Sequence, residues 1–507
     1  MKLLDRIFPF LSLLLFGNAI LISSAAAHDV QLWGKPLNIH GYLSQSMGFG
    51  IAGEHFDNQK RFQSAIVQGL IEATYEPERH IRMFLSGKLN ADWAYQVPHG
   101  STWRKKGFNK SRDRLYVFDS TKDLLNEANV TWHRDSFYLR VGKQIVRWGE
   151  TDGFRLMDRI NPVDQRRGLA DVEFENTILP IWLVRTEYAV PVLPAWLQTL
   201  SFQGIFNPHV QFRPNEGIQL GNSVSGIWAP NVTATLGGRY PLDFAHIGSA
   251  DELIVEPKGA KGYEYALRAK GAVRDTTVTL NYYYGRDKDP VTRVNGPFRT
   301  DRSPYDGRLI IHPNIKGFYP VLRFAGGTVA TDIDPLQSTA IGGVAPVFRL
   351  EAFYAFGSTF TSNRQNMFNH HDEIRWAAGA DWKVKIPLLN PFTSFTISPQ
   401  FFHRRIIGYP DNDTLTGPGG EPVRKNNYQS SLMISTGYLN NKIQPSVFWL
   451  RNWSERADFY RFQVTYDWSH HWRYTAGTLF FNGAKKERSF DVFSHKDQAY
   501  FTVNYRF

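Results

Sequence analysis

The sequence predicts an all-β chain closed into an antiparallel transmembrane β-barrel of about 18 strands, within a range of roughly 16–20. Three observations predict it. An apolar leader opens the chain, apolar and polar residues alternate with period two over nearly all that follows, and short and long connections take turns between the alternating segments. Composition agrees. The 507 residues carry 58 Lys and Arg against 47 Asp and Glu, a net charge of +11, and 15% are aromatic. With 41 glycines and a mean hydropathy of −0.36, the chain is too polar for a helical membrane protein and aromatic-rich for a soluble enzyme. The aromatic content also excludes extensive disorder. Cysteine is absent, which removes disulfide scaffolds, thiol nucleophiles, iron–sulfur clusters and cysteine-based zinc sites together. The basic surplus is small for this length and does not call for nucleic acid.

The leader fixes the compartment. Residues 1–27 read as a secretory signal peptide: Lys2 and Arg6 give a basic start around Asp5, Ile7 to Ile22 form the apolar stretch, and Ala25-Ala26-Ala27 precedes cleavage before His28. An anchor helix is the competing reading, but Pro9, Gly17 and Asn18 interrupt the run. No cysteine follows the cleavage site, so lipid attachment there is excluded. No later stretch approaches the ~20 apolar residues of a spanning helix. An exported chain without one is either soluble or a barrel, because only helices and closed barrels satisfy every backbone group in lipid. Residues 28–507 are therefore read as one barrel.

The strands are expected near 37–51, 64–75, 80–96, 124–132, 137–148, 178–188, 197–207, 262–273, 277–286, 320–331, 347–358, 373–385, 394–403, 428–438, 443–453, 457–468, 472–482 and 498–507. In the early hairpin, Ile71, Ala73 and Tyr75 alternate with Glu72 and Thr74. A turn at Glu76-Pro77-Glu78-Arg79 leads to Ile81, Met83, Leu85 and Leu89, alternating with Arg82, Ser86, Lys88 and Asp92. That run exceeds the ~5–6 residues usual for a soluble strand. Charges line its second face, which a dry core would not tolerate and a wet lumen would. The unit recurs with Tyr265 and Leu267 against Glu264, Arg268 and Lys270, and with Tyr460, Phe462 and Val464 against Arg461, Gln463 and Asp467. Pro399 and Pro445 inside candidate strands are a caution. At the end, Ala499, Phe501, Val503, Tyr505 and Phe507 share one face. A final strand of alternating aromatics ending in Phe resembles the recognition signal that outer-membrane barrels present to their assembly machinery.

Short turns near 76–79, 133–136, 189–196, 274–276, 386–392, 439–442 and 469–471 alternate with long polar segments near 97–123, 149–177, 208–261, 287–319, 404–427 and 483–497. Barrels of the bacterial outer membrane combine short periplasmic turns with long extracellular loops in this way. Trp132, Trp148, Trp382, Trp449, Trp453, Trp468 and Trp472 fall near strand ends, where interfacial girdles belong.

Such a barrel encloses a lumen wide enough for an aqueous path. Its expected lining is Arg82, Lys88, Asp92, Glu264, Arg268, Lys270, Arg349, Glu351, Arg375, Asp381 and Arg461. Opposed charges across a pore set up a transverse field, and the basic surplus favours anions; for any one residue the plainer role is to hydrate or pair along the wall. One loop stands apart. After Gly149, Thr151 or Asp152 is placed to cap a short helix carrying Phe154, Leu156, Met157 and Ile160, ended by Asn161-Pro162. Glu150, Asp152, Arg155, Asp158 and Arg159 crowd charge into it. The segment either folds into the lumen as a constriction or forms an external loop with its own ion pairs.

The run GKQIVRWGETDGFRLMDRINPVD, residues 142–164, resembles a motif of an uncharacterised domain-of-unknown-function family of Gram-negative outer-membrane proteins, often encoded beside RND-type exporters. The likeness spans roughly 137–190. It implies an outer-membrane barrel with a transport role and no established catalytic residues.

Catalytic constellations are not apparent: the 15 histidines are scattered, and no P-loop, GxSxG or HExxH pattern occurs. His370-His371-Asp372-Glu373 reads as a loop, and adjacent histidines in a strand would diverge, so neither a metal nor another cofactor is expected. Few residues separate the leader from the first strand, which disfavours the plug domain of a TonB-dependent receptor. The expected function is a porin-like channel for small polar, anionic solutes rather than an enzyme. The alternatives are a dedicated conduit for a bulkier ligand (siderophore, lipid-like compound or polysaccharide) serving an exporter, and a closed scaffold. Expected partners are outer-membrane lipid and lipopolysaccharide, the barrel-assembly machinery and an inner-membrane exporter.

Overall fold

The computed structural model describes residues 30–51, 62–92, 124–151, 154–163, 177–212, 245–247, 251–302, 309–337, 343–420, 422–483, 489–493 and 497–507; the leader lies outside them. Eighteen strands form the wall: β1 (Lys35–Gly50), β2 (Phe62–Glu78), β3 (Ile81–Asp92), β4 (Leu125–Arg134), β5 (Phe137–Gln144), β6 (Ile181–Ala189), β7 (Thr199–Asn207), β8 (Glu264–Val273), β9 (Thr276–Arg286), β10 (Val321–Asp332), β11 (Val347–Ser362), β12 (Met367–Val384), β13 (Phe395–Ile406), β14 (Asn426–Ser435), β15 (Ile443–Asn452), β16 (Ala457–Asp467), β17 (Trp472–Asn482) and β18 (Gln498–Arg506). Each pairs antiparallel with its neighbours in sequence. β18 returns to β1, from Tyr42 opposite Arg506 to Gly50 opposite Gln498. The ring therefore closes and leaves the wall without a free edge.

Period-two alternation sorts the two faces. On β9, Val278, Leu280, Tyr282 and Tyr284 are exposed on the outside, whereas Thr279, Asn281 and Tyr283 are buried within. The outer face of a chain isolated from lipid is thus the apolar one, the inverse of a soluble protein. Inside, hydroxyls pair across strands: Thr279 meets Thr328 at 2.9 Å and Thr465 meets Thr475 at 3.2 Å. Two-residue turns at 79–80, 135–136 and 274–275 reverse the chain on one side, with Asp135 and Arg274 left-handed at φ 51° and 50°. On the other side, two three-stranded sheets stand apart from the wall. One joins Asp251–Val255, Val291–Val294 and Asn314–Phe318, the other Ala245–Ile247, Arg299–Arg302 and Leu309–His312.

The structure corrects four expectations. β5 stops at Gln144 rather than 148, because the chain leaves the wall at Ile145. Trp148 consequently belongs to no girdle: it is buried, its Nε1 donating to Gln203 Oε1 at 2.8 Å. The His370–Glu373 segment is strand, not loop, because the β11–β12 hairpin reaches past its neighbours and turns only at 363–366. Among the described residues no helix forms across 154–163; polar side chains have taken the backbone groups that a helix would use. Pro399 is accommodated by a gap: β12 and β13 pair at Gly379–Gln400 and again at Trp382–Ile397, and between them Ser398 Oγ donates to Asp381 Oδ1 at 2.7 Å.

Candidate functional site

The candidate site is the lumen and the described parts of the 145–163 segment, 145–151 and 154–163, that fold into it. Asn161 closes the base of this loop. Its Oδ1 accepts from Val146 N at 2.8 Å, and its Nδ2 donates to Gln144 O at 3.1 Å and Leu179 O at 2.9 Å, tying the outgoing chain to the returning one. Asp158 Oδ1 accepts from Trp148 N at 2.5 Å and Gly149 N at 2.9 Å. A Cβ on Gly149 would lie 3.2 Å from Asp158 Oδ2 and 3.3 Å from Glu351 Oε1, so any side chain there would have to push one of these carboxylates aside by a few tenths of an ångström.

The wall then holds the loop. Glu351, on the inner face of β11, accepts from Met157 N at 2.5 Å and Glu150 N at 2.9 Å. Arg349 donates to Glu150 O at 2.5 Å and to Asp381 Oδ1 at 2.9 Å. Between these tethers Val146, Trp148, Leu156, Met157 and Ile160 pack on Ile181, Leu183, Ile205, Tyr283, Phe324 and Phe353, inward-facing side chains of β6, β7, β9, β10 and β11. Burying such side chains is worth about 1.5–3 kcal/mol each, which a loop exposed to solvent would forgo. Of the two sequence readings, the lumenal fold is the observed one for the described residues.

Two more segments turn inward on the long-loop side. Phe490, in the short helix Ser489–Phe493, meets Phe154 at 6.3 Å between ring centroids and Phe459 of β16 at 6.2 Å, while Phe154 meets Phe402 of β13 edge-on at 5.0 Å. Leu415, in the 407–425 connection, packs with Phe360 and Ile406. An aromatic seam thus crosses the long-loop half of the lumen, where sequence reasoning expected a wet lining throughout.

The expected lining residues divide into three groups. Glu264 and Glu351 point inward but are buried and engaged: Glu264 accepts from Lys288 Nζ at 2.6 Å, Asn207 Nδ2 at 2.9 Å and Tyr283 OH at 2.9 Å. Arg349, Asp381 and Arg375 belong to ion pairs, the last with Glu373 at 2.9 Å. Arg82 and Lys270 are exposed, whereas Lys88, Arg268 and Arg461 are half-buried. Arg82 lies 3.9 Å from Glu76, and Arg461 lies over the Phe448 ring at 5.5 Å. The side chain of Asp92 and the whole of Asp152 lie outside the described residues. In the loop, the Glu150 backbone, Asp158 and Arg159 make the contacts given above or a pair with Asp287 at 3.3 Å, and Arg155 donates to Asn161 O at 3.4 Å. Asn161, Gln203, Arg404 and Phe490 escaped sequence reasoning. Arg404 and Gln203 each left a signal, the inward parity that Arg404 shares with Phe402 and Gln400 and Gln203 with Ile205 and Asn207. His370 and His371 hydrogen-bond to different partners, Thr359 Oγ1 at 3.2 Å and Ile407 O at 3.3 Å. Among the described residues no three metal-ligating side chains gather.

A family profile described as "Protein of unknown function (DUF1302)" matches residues 56–507. No curated protein matches. Among solved structures, OccAB3 of Acinetobacter baumannii is 9% identical with a TM-score of 0.43, over 93% of this chain and 99% of that one. OccK11 (OpdR) of Pseudomonas aeruginosa is 8% identical with a TM-score of 0.43, over 93% and 95%. OmpF of Salmonella typhi, solved with daunomycin, is 10% identical with a TM-score of 0.38, over 95% and 100%.

Proposed function

We propose, from the premise that this chain belongs to the DUF1302 family of proteins of unknown function, that it is an outer-membrane, porin-like channel for small polar solutes, with a preference for anions. One observation carries the reading. A closed wall, apolar outside and largely polar inside, holds the 145–163 segment within its lumen through Glu351, Arg349 and Asn161. A scaffold with no traffic through it has no need of a loop pinned across its bore, whereas a channel selects by narrowing one. The basic side chains Arg82 and Lys270 near the short turns, with Arg268 and Lys88 farther up the wall, supply the anion preference. Lipid and lipopolysaccharide would cover the outer face, the strand ending at Phe507 would be handed to the assembly machinery, and an exporter would meet the short-turn side. The aromatic seam at Phe154 and Phe490 favours a second reading, a dedicated conduit for a bulkier, less polar ligand.

Planar bilayers test the channel. Purified protein should give discrete conductance steps with a reversal potential displaced toward anions. Deleting residues 151–162 should enlarge the steps. Silent membranes at verified incorporation would overturn the reading, and unchanged steps after the deletion would show that the loop does not constrict.

A further inference from the structure

Within the lumen, three guanidinium groups gather around carboxylates that are buried more deeply than they are. Glu373 on β12 accepts from Arg375 Nη2 at 2.9 Å and from Arg404 Nε of β13 at 2.7 Å, and Asp287 accepts from Arg159 Nη2 of the folded-in loop at 3.3 Å. The side chains of Glu373 and Asp287 are 3% and 11% exposed, those of Arg159, Arg375 and Arg404 26%, 17% and 21%. Arg375 stands close enough to both Arg404 and Arg159 to feel their like charge, and Asp289 adds a more distant acid to Arg159. Glu373 and Arg375 share the inner face of β12, and the guanidinium groups are the more exposed members of the cluster. Like charges held together out of bulk water are unfavourable. Since Arg375 spends Nε and Nη2 on Glu373, at 3.1 and 2.9 Å, and Arg404 its Nε, the donors the pair presents to a further anion are its remaining Nη groups.

The neighbouring surface is aromatic. Arg404 and Phe402 stand two residues apart on the inner face of β13, opposite Arg375 and Ala377 of β12. Phe154 closes edge-on against Phe402. Arg375 lies over the Phe353 ring at 5.7 Å and Arg404 over Phe360 at 5.6 Å. Charge and apolar wall therefore sit side by side.

We infer that this juxtaposition is a binding subsite for an amphipathic organic anion, its carboxylate held by Arg375 and Arg404 and its apolar body laid against Phe154 and Phe402. The subsite deepens the channel reading by naming a solute class, and it depends on the lumen being open to solutes.

Titration calorimetry of the purified barrel in detergent micelles tests it without requiring conductance. Benzoate should bind, with acetate (no apolar body) and benzyl alcohol (no charge) at least tenfold weaker. Arg404→Gln and Phe154→Ala should each weaken benzoate about tenfold, Arg404→Lys less than Arg404→Gln, and Arg405→Gln, on the outer face, not at all. Every variant is first checked for a native β-sheet circular-dichroism spectrum, and Arg375→Gln replaces any that fails. Benzoate binding no tighter than acetate, undiminished binding in Arg404→Gln, or no binding at all would overturn the subsite. Bilayers that conduct while benzoate fails to bind would defeat the subsite alone; silent bilayers with benzoate bound would defeat the channel alone.

Discussion

At the scale of single residues, the lumen is organised by side chains that satisfy backbone groups stranded in a dry place. Once the chain leaves β5 at Ile145, its N–H and C=O groups have lost their strand partners, and each must find another. Asn161 serves both ends of the loop, and Glu351 accepts two N–H groups that would otherwise be buried unpaired. Removing such a partner costs about 1–3 kcal/mol for each group left unsatisfied. Asn161→Ala should therefore loosen the loop without opening the wall. The chain has no cysteine, so a single reporter can be introduced cleanly. In Met157→Cys, which is fully buried in the native loop, added Asn161→Ala should raise the thiol-labelling rate about tenfold or more, the equivalent of ~1.4 kcal/mol in local opening. Equal labelling in the two backgrounds would mean that the loop is held by its apolar contacts alone.

At the scale of elements, two segments fill the long-loop half of the lumen and a third extends the wall at the top of β11, each attached in a different way. The 145–163 loop is anchored mid-wall by buried hydrogen bonds, and the 489–493 helix mainly by phenyl contacts, with one hydrogen bond from Asn452 Nδ2 of β15 to Ser489 Oγ at 3.2 Å. The 407–425 connection is latched to the top of β11, where Leu415 and Thr416 pair with Ser362 and Thr361. Asp413 completes this latch, accepting from Ser362 Oγ, from Arg364 N at 2.9 Å and from its neighbour Thr414 N at 2.7 Å. Burial by itself would raise the Asp413 carboxyl, but these hydrogen bonds outweigh it and hold the group below the usual aspartate range. A depressed folded value means that the latch is at full strength above the ordinary aspartate pKa of about 3.9 and is lost as pH falls through the lower, folded value. Hydrogen exchange across 407–425 should accordingly stay protected from pH 7 to about pH 4, once corrected for intrinsic rates, and lose protection below it. Asp413→Asn should exchange faster throughout and without that step. A loss of protection already at pH 6 would contradict this account.

For the whole molecule, the deciding fact is closure. Eighteen strands paired in sequence order, with β18 returning to β1, satisfy every wall strand on both sides. Inside, acids are consumed in pairs at both heights, Glu264 with Lys288 and Glu373 with two arginines toward the long loops, Asp381 with Arg349 and Asp467 with Arg473 toward the short turns, while Arg82 and Lys270 near the short turns stay exposed to solvent. Their field acts on any ion in transit. Reversing it with Arg82→Glu and Lys88→Glu should move the reversal potential toward cations in a salt gradient; an unchanged potential would remove these two residues from the conducting wall.

How much of this was legible follows from where each interaction is written. Strand positions, strand number and the sorting of faces came from local alternation, because lipid outside and polar lumen inside impose a period of two on each strand separately: Val278 to Tyr284 announce their faces without reference to any other segment. The exit of the chain at Ile145 was marked only by an inversion of the pattern, Val146 and Trp148 falling on the inner parity of β5 and Arg147 on the outer, and an apolar run by itself does not say where it will pack. Whether Trp148 belongs in an interface or in the lumen depends on Gln203, a partner 55 positions away. The same holds for Glu351, which reads as a charged lining residue until Met157, 194 positions distant, is brought to it. By itself the sequence determined a barrel of about this size with two-sided strands, because those features repeat every second residue. Only the tertiary structure decided what fills the bore, because a buried polar group is settled by whichever partner the folded chain delivers, however remote in sequence.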